Sequence, residues 1–260
     1  MLKNPVMPGS CKILGVKREN ESEYTFRVET DIRPAHGQFL QLSIPRVGEA
    51  PISVSGFGDG YLDFTIRSVG KVTKEIFELD SGDKLFLRGA YGNGWSIEAL
   101  QGKHLVVITG GTGLAPVRNL LHKCMDEPGF VKDVFLVCGF KSEQGILFRS
   151  DLESYRQHFK MTIFTLDEDK IDGWDVGFVT EHVKNIPLAE YDDDYNILIV
   201  GPPRMMGFTA SECIKRGAKE GSIWVSFEQR MSCAIGKCGH CRIDETYVCT
   251  DGPVFNVLSK

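Results

Sequence analysis

Cys233, Cys238, Cys241 and Cys249 stand in the spacing C-x4-C-x2-C-x7-C, half of the chain's eight cysteines gathered near one end. Plant-type [2Fe–2S] ferredoxins hold their cluster with C-x4-C-x2-C and a more distant fourth cysteine, in a loop whose amides face the cluster sulfurs. Gly236 and Gly239 suit such a loop, because a backbone folded tightly around an inorganic core needs residues that tolerate unusual dihedrals. Four thiolates also make a closed tetrahedral zinc site. Zinc ribbons, however, pair two short C-x2-4-C knuckles across a spacer, and only one such knuckle occurs here. A disulfide framework is the weakest of the three readings, since nothing upstream suggests export.

The rest of the chain bounds what this tail serves. At 260 residues and 42% hydrophobic content it has room for two ordinary globular domains. The formal charge of −5 argues against a nucleic-acid partner, which would need clustered Lys and Arg. The start, Met1 to Pro8, lacks the apolar core of a signal peptide, and the apolar runs 105–109 and 197–200 are far too short to span a bilayer. A cytoplasmic protein without a membrane segment is expected. Asp167-Glu168-Asp169 and Asp192-Asp193-Asp194 read as solvated loops, with partner docking as a second use. Cys11, Cys124, Cys138 and Cys213 occur singly and read as small buried hydrophobes.

From Cys11 to about Leu87, short β-branched and aromatic segments alternate at period two between Gly, Pro and Asp turns, as in Tyr24–Val28, Phe39–Ile44 and Leu62–Ile66. This predicts a small antiparallel barrel. Two breaks carry chemistry. Ala50-Pro51-Ile52-Ser53-Val54-Ser55 is expected to end a strand. Arg67-Ser68-Val69-Gly70-Lys71-Val72-Thr73 leads into a short helix expected over 73–78, whose opening near Gly70 and Thr73 offers amides to a phosphate or merely makes a turn. Gly89-Ala90-Tyr91-Gly92-Asn93-Gly94-Trp95 reads as a loop.

Strand and helix signals then alternate: strands over 104–109, 133–138, 161–165 and 196–200, and helices over 115–125, 148–155, 180–185 and 205–216. Continuous apolar strands followed by amphipathic helices make a parallel sheet with helices on both faces. The first strand ends in Gly110-Gly111-Thr112-Gly113-Leu114-Ala115-Pro116, the layout that holds a dinucleotide pyrophosphate, although without the spacing of the G-x-G-x-x-G fingerprint. The strand over 196–200 ends in Gly201-Pro202-Pro203-Arg204-Met205. Two such strand ends at the carboxyl edge predict a nucleotide cleft. Expected boundaries are 1–99 for the barrel, 100–222 for the α/β domain and 223–260 for the cluster tail.

In this order the pieces resemble the ferredoxin-reductase-like flavoproteins across nearly the whole chain: an antiparallel FAD-binding barrel, a parallel-sheet nucleotide domain, then an iron–sulfur tail. The resemblance makes Pro51, Ile52 and Ser53 part of the family's flavin strand, with Ser53 beside the reacting flavin nitrogen. Ala50 departs from the family there, standing where an arginine usually pairs with the FAD pyrophosphate, so that Arg67 or Lys71 compensates or the flavin binds more weakly. It makes Arg67, Gly70, Val72 and Thr73 the pyrophosphate turn. Gly110, Gly111, Thr112, Gly113 and Pro116 become the nicotinamide-side loop. Gly201, Pro202 and Met205 become the matching strand end, with Val200 replacing the family cysteine.

The tail is similar to three groups of electron-transfer subunits: that of anaerobic sulfite reductase, the sulfhydrogenase gamma subunits and the electron-transfer subunit of dihydroorotate dehydrogenase. The run Gly236 to Cys249 is most similar to the first, which implies iron–sulfur and sirohaem-type catalytic subunits as partners. The implied relay runs from NADH or NADPH through FAD to a [2Fe–2S] cluster held by the four cysteines. Lys141 could meet a ribose phosphate or face solvent, and the resemblance favours NADH. Lys237, His240 and Arg242 lie close enough in sequence to tune the cluster, while the other histidines lack metal-ligand spacing. The remaining alternatives are a self-contained reductase with a small soluble acceptor and a zinc-stapled nucleotide-binding regulator.

Overall fold

A computed structural model describes residues 6–259. The first hundred residues form the expected barrel: β1 (Gly9–Arg18), β2 (Glu23–Glu29), β3 (Phe39–Ile44), β4 (Gly48–Gly58), β5 (Tyr61–Arg67), α1 (Lys71–Phe77) and β6 (Lys84–Tyr91). The strands close in the order β1-β2-β5-β4-β3-β6 through antiparallel pairs, which removes free sheet edges. Alternation sends one face inward, where Phe26, Val28, Leu40, Leu42, Phe64 and Leu87 form the core and Ile76 of α1 joins it.

β4 does not end near Ser55 as expected. It runs through eleven residues, pairing with β3 up to Phe39↔Ser53 and with β5 from Val54↔Phe64 onward. Ser53 therefore lies where one strand changes partners, with a bulge between Val54 and Gly56. Such a bulge bends a strand around a barrel corner, so the polar break in the sequence marks a turn of the sheet and not the strand's end.

Next in the chain come α2 (Ile97–Leu100), β7 (His104–Gly110), α3 (Ala115–Asp126), β8 (Asp133–Phe140), α4 (Arg149–His158), β9 (Met161–Leu166), β10 (Asp175–Val176), β11 (Tyr195–Val200), α5 (Pro203–Lys215) and β12 (Ile223–Ser226). The helical signal over 180–185 is a 3-10 segment, Val179–Asn185. The parallel strands are buried on both faces, as their unbroken apolar runs Leu105–Ile108 and Ile197–Val200 require. From β7 the chain builds outward through β8, β9 and β10, then returns to the other side of β7 for β11. That reversal makes the β7/β11 boundary the topological switch point.

Beyond β12 the chain forms β13 (Arg242–Ile243), β14 (Thr246–Tyr247) and α6 (Val248–Asp251), then β15 (Val254–Asn256), which pairs antiparallel with β12. The sheet therefore continues past β11, because Trp224 and Val225 pair parallel with Leu198 and Ile199. Four residues are too few to display a period, which hid this strand in the sequence. Among the described residues two compact units result: 6–95 with 228–253, and 96–227 with 254–259. Among the described residues no helix is long and apolar enough to cross a membrane.

Candidate cofactor and cluster sites

In the sheet unit, the Gly110–Pro116 loop and the Gly201–Met205 segment are brought together. β7 and β11 are directly paired, with Thr109 opposite Val200, so both strand ends finish at the switch point. Gly110 opens the 3-10 turn Gly111–Leu114, which contains Thr112 and leads straight into α3, with Pro116 buried in its first turn. A Cβ on Gly110 would stand 2.5 Å from Met205 Sδ and 3.4 Å from Pro202 Cδ, and one on Gly201 would stand 3.0 Å from Met205 Sδ. At Gly113 a Cβ would lie 2.3 Å from the Val200 carbonyl oxygen, so only a residue without one lets the turn sit this close to β11. The arrangement offers amides and a helix start at a crevice edge, which suits a pyrophosphate.

In the barrel unit, Pro51, Ile52 and Ser53 are half-buried on β4. Arg67, at the end of β5, is exposed and forms an ion pair with Glu23 at 3.3 Å across the β2–β5 ladder. α1 begins at Lys71, two residues before the expected start. Thr73 is therefore in its first turn and reaches back: its Oγ1 accepts from the amides of Val69 (3.0 Å) and Gly70 (2.9 Å) and donates to the Gly70 carbonyl (3.1 Å). Those two amides are committed to the hydroxyl. The helical amides of Lys71, Val72 and Thr73 precede the first intrahelical bond, Lys74 N to Gly70 O, and are the ones a phosphate could use. The turn packs against the start of β4, since a Cβ on Gly48 would lie 3.2 Å from Val72 Cγ2. Thr73→Val should destabilise the barrel unit by about 1–2 kcal/mol by removing these bonds, with Thr73→Ser nearly neutral. Denaturant titration of the two variants checks this, and equal midpoints would refute it.

The cysteine loop, also in the barrel unit, turns its backbone amides onto sulfur. Cys233 Sγ accepts from the amides of Ile235 (3.5 Å), Lys237 (3.3 Å) and Cys238 (3.4 Å), and Cys249 Sγ accepts from Gly236 (3.3 Å). Gly236 has φ +71° and its Cβ would meet Thr250 at 3.3 Å, so the loop's tightest point needs glycine. The four thiols lie near one another, with Cys238 beside Cys233 and Cys249 beside Cys241. Backbone hydrogen bonds at His240 and Cys233, with the Cys233 thiol, pull the exposed Cys238 down to about 7. Burial and the bond with Cys241 push Cys249 up to about 12, against the lowering bond from the Gly236 amide. Among the described residues no three His, Cys, Asp or Glu side chains converge as ligands of one metal ion. Four neighbouring thiols under a canopy of amides would suit a [2Fe–2S] core, whose sulfurs those amides could also meet, better than one tetrahedral cation.

Sequence reasoning missed Arg88, Glu49 and Tyr91. Arg88 Nε and Nη2 meet the Glu49 carboxylate at 2.9 and 2.7 Å, Nη1 meets Tyr91 Oη at 3.0 Å, and Nη1 and Nη2 donate to the carbonyls of Cys233 and Ser232 at 2.9 Å each. No local signal marks these residues, because their significance lies in a contact spanning 145 positions.

Residues 107–211 match the oxidoreductase NAD-binding domain, and residues 228–258 match the iron–sulfur cluster binding domain of dihydroorotate dehydrogenase B. The sulfhydrogenase 2 gamma subunit of Pyrococcus furiosus is 32% identical, over 97% of this chain and 96% of that protein. The probable dihydroorotate dehydrogenase B (NAD(+)) electron transfer subunit of Thermoplasma volcanium is 30% identical, over 92% of this chain and 84% of that protein. The fold is shared with an NADH-dependent reduced ferredoxin–NADP oxidoreductase (TM-score 0.79, 20% identity, 95% and 88% of the two chains). It is shared also with a ferredoxin NADP+ reductase from Neisseria gonorrhoeae solved with bound FAD and NADP (TM-score 0.72, 20% identity, 84% and 98%). Fold and matched domains are those of an oxidoreductase that uses FAD, an iron–sulfur cluster and a nicotinamide dinucleotide. The chain belongs to the family of electron-transfer subunits that includes those of the sulfhydrogenases and of dihydroorotate dehydrogenase B.

Proposed function

We propose that this chain oxidises a reduced nicotinamide dinucleotide and delivers the electrons singly to a partner subunit. The observation that carries this is the cysteine loop, where four backbone amides already face the Cys233 and Cys249 sulfurs. When bound, FAD converts a two-electron hydride into single electrons and the [2Fe–2S] cluster supplies the one-electron outlet. Gly110, Gly111, Thr112, Gly113 and Pro116, with Gly201, Pro202 and Met205, bind and orient the dinucleotide at the switch point. Pro51, Ile52 and Ser53 of β4 would hold the flavin ring, with Ser53 the candidate to contact its reacting nitrogen, and Arg67, Gly70, Val72 and Thr73 would form the pyrophosphate turn. Arg67 is held by Glu23, so Lys71 and the first α1 amides are better placed to offset the missing arginine at Ala50. Cys233, Cys238, Cys241 and Cys249 hold the cluster. Cys238, exposed and the most acidic of the shifted thiols, stands on the side from which electrons leave.

The relatives favour a partner of the sulfhydrogenase or dihydroorotate dehydrogenase type over the sirohaem-type sulfite reductase subunits that the Gly236–Cys249 run suggested. The short seven-residue gap before Cys249 keeps sulfite reductase as a second reading. Anaerobic purification should give a protein with flavin and iron–sulfur absorption bands that NADH bleaches, with iron in excess of zinc. A colourless zinc protein would end the relay reading. The subunit that copurifies, and whether it turns over hydrogen, dihydroorotate or sulfite, selects among the partners.

A further inference from the structure

A guanidinium has five N–H donors, and Arg88 uses all of them: three on Glu49 and Tyr91 of the barrel, two on the carbonyls of Ser232 and Cys233. Its side chain is 5% exposed, so none of these bonds is exchanged for water, and the paired charges are held in fixed geometry. Arg88 projects from β6 beside the core residue Leu87, on the opposite face of the strand and just before the bulge at Gly89, and its register partner on β3 is Gln41. Gln41 in turn pairs with Pro51 of the flavin strand, and Phe39 is the register partner of both Ser53 and Tyr91. Gln41 is fully buried, and neither atom of its carboxamide has a partner among the described residues. Three adjoining strands thus present a buried polar seat, one edge carrying the residues read as the flavin strand and the other gripping the first cluster cysteine.

We propose that Arg88, backed by Glu49, is a positioning residue for electron transfer: it fixes the Ser232–Cys233 end of the cluster loop on the barrel and, with Glu49, sets the local charge at the cluster. The proposal rests on the flavin and cluster reading given above. It separates two effects. Position depends on the five bonds, which lysine cannot reproduce because its ammonium lacks the planar fork. Charge depends on the pair being neutral overall, and cluster potential responds to nearby net charge.

Four variants of the full, cofactor-loaded chain test this: Arg88→Met, Arg88→Lys, Glu49→Gln and the double Arg88→Met/Glu49→Gln. Flavin bleaching by NADH is followed by anaerobic stopped flow, cluster reduction by rapid-freeze EPR, and the cluster midpoint potential by redox titration. Arg88→Met should leave flavin bleaching unchanged, slow cluster reduction about tenfold, and lower the potential by leaving Glu49 unpaired. Glu49→Gln should raise the potential. The double variant should restore the potential but not the rate, and Arg88→Lys should keep the potential while remaining slow. Loss of iron from Arg88→Met with flavin retained also supports the anchoring role. If Arg88→Met does not fold, Arg88→Lys and Glu49→Gln decide. Wild-type rates and potentials in these variants, in protein carrying both cofactors, overturn the proposal. Wild-type protein without flavin or iron would instead sink the functional reading beneath it.

Discussion

Cys238→Ser will stop electron delivery to the partner subunit while leaving NADH-to-dye reduction largely intact. The two halves of this result have separate physical grounds. Backbone hydrogen bonds at His240 and Cys233 draw the Cys238 thiol down to about 7, so a large share of it is already the thiolate that the proposed cluster ligand must be. A serine hydroxyl keeps the shape but stays protonated, and a hard alkoxide is a poor substitute at a soft thiolate site. The cluster is therefore lost or altered. The residues proposed to hold the dinucleotide, at the ends of β7 and β11, and those proposed to hold the flavin, on β4, do not include Cys238, so a dye that takes electrons from the flavin should still be served. The variant should fold, because Cys238 is exposed and fills no core position. The check is a paired assay on one preparation, dye reduction against partner-dependent turnover, with iron and flavin quantified. Loss of dye activity in a folded, flavin-loaded variant would mean that electrons reach the dye through the cluster, and the proposed order of carriers would be reversed.

What the sequence disclosed divides along a physical line. Chemistry that needs several residues close together in the chain is readable without a structure. The cysteine spacing is set by what one loop can wrap around, and the Gly110–Pro116 turn by a strand that must pass directly into a helix. The barrel was legible because its strands alternate at period two, as in Tyr24–Val28, and the parallel sheet because unbroken apolar runs such as Leu105–Ile108 and Ile197–Val200 each lead into a helix. β12 and the length of β4 were not, for opposite reasons. Ile223–Ser226 is too short to show a pattern, and β4 faces different partners in its two halves, so Ser53 and Ser55 interrupt an alternation that the barrel continues. That Thr73 caps its helix is legible in the sequence; which amides it takes is not, and the structure gives those of Val69 and Gly70. The Arg88 clamp was out of reach altogether. An arginine in a strand and a glutamate four residues after a proline look like ordinary surface charge until the fold carries Ser232 and Cys233 to them. The partner is not legible for a different reason: its recognition surface need only match another chain, which imposes no spacing on this one.

Gly113→Ala should be the most damaging single methyl group that can be added to the sheet unit. The new Cβ would sit 2.3 Å from the Val200 carbonyl oxygen and 2.6 Å from its carbon, and backbone atoms at the end of a paired strand cannot swing aside as a side-chain tip can. Relief requires the 111–114 turn to lift from β11 or the Thr109↔Val200 pairing to open. Overpacking of this kind costs about 1–3 kcal/mol. At about 2–4 °C per kcal/mol for a domain of this size, the unfolding midpoint of the sheet unit should fall by several degrees. The same displacement moves the amides and the start of α3 that are proposed to hold the dinucleotide, so the KM for NADH should rise more than kcat falls, the mark of lost binding and not of altered chemistry. Gly129→Ala is the comparison: unlike Gly113, Gly129 has a positive φ, at +90°, and no atom lies within 4 Å of its added Cβ, so it reports the cost of backbone strain without a clash, where Gly113→Ala reports a clash without a positive φ. Calorimetry and steady-state kinetics on the two variants separate the effects. A Gly113→Ala protein no less stable than Gly129→Ala, with an unchanged KM, would show that the turn does not press on β11 and that the dinucleotide does not depend on it.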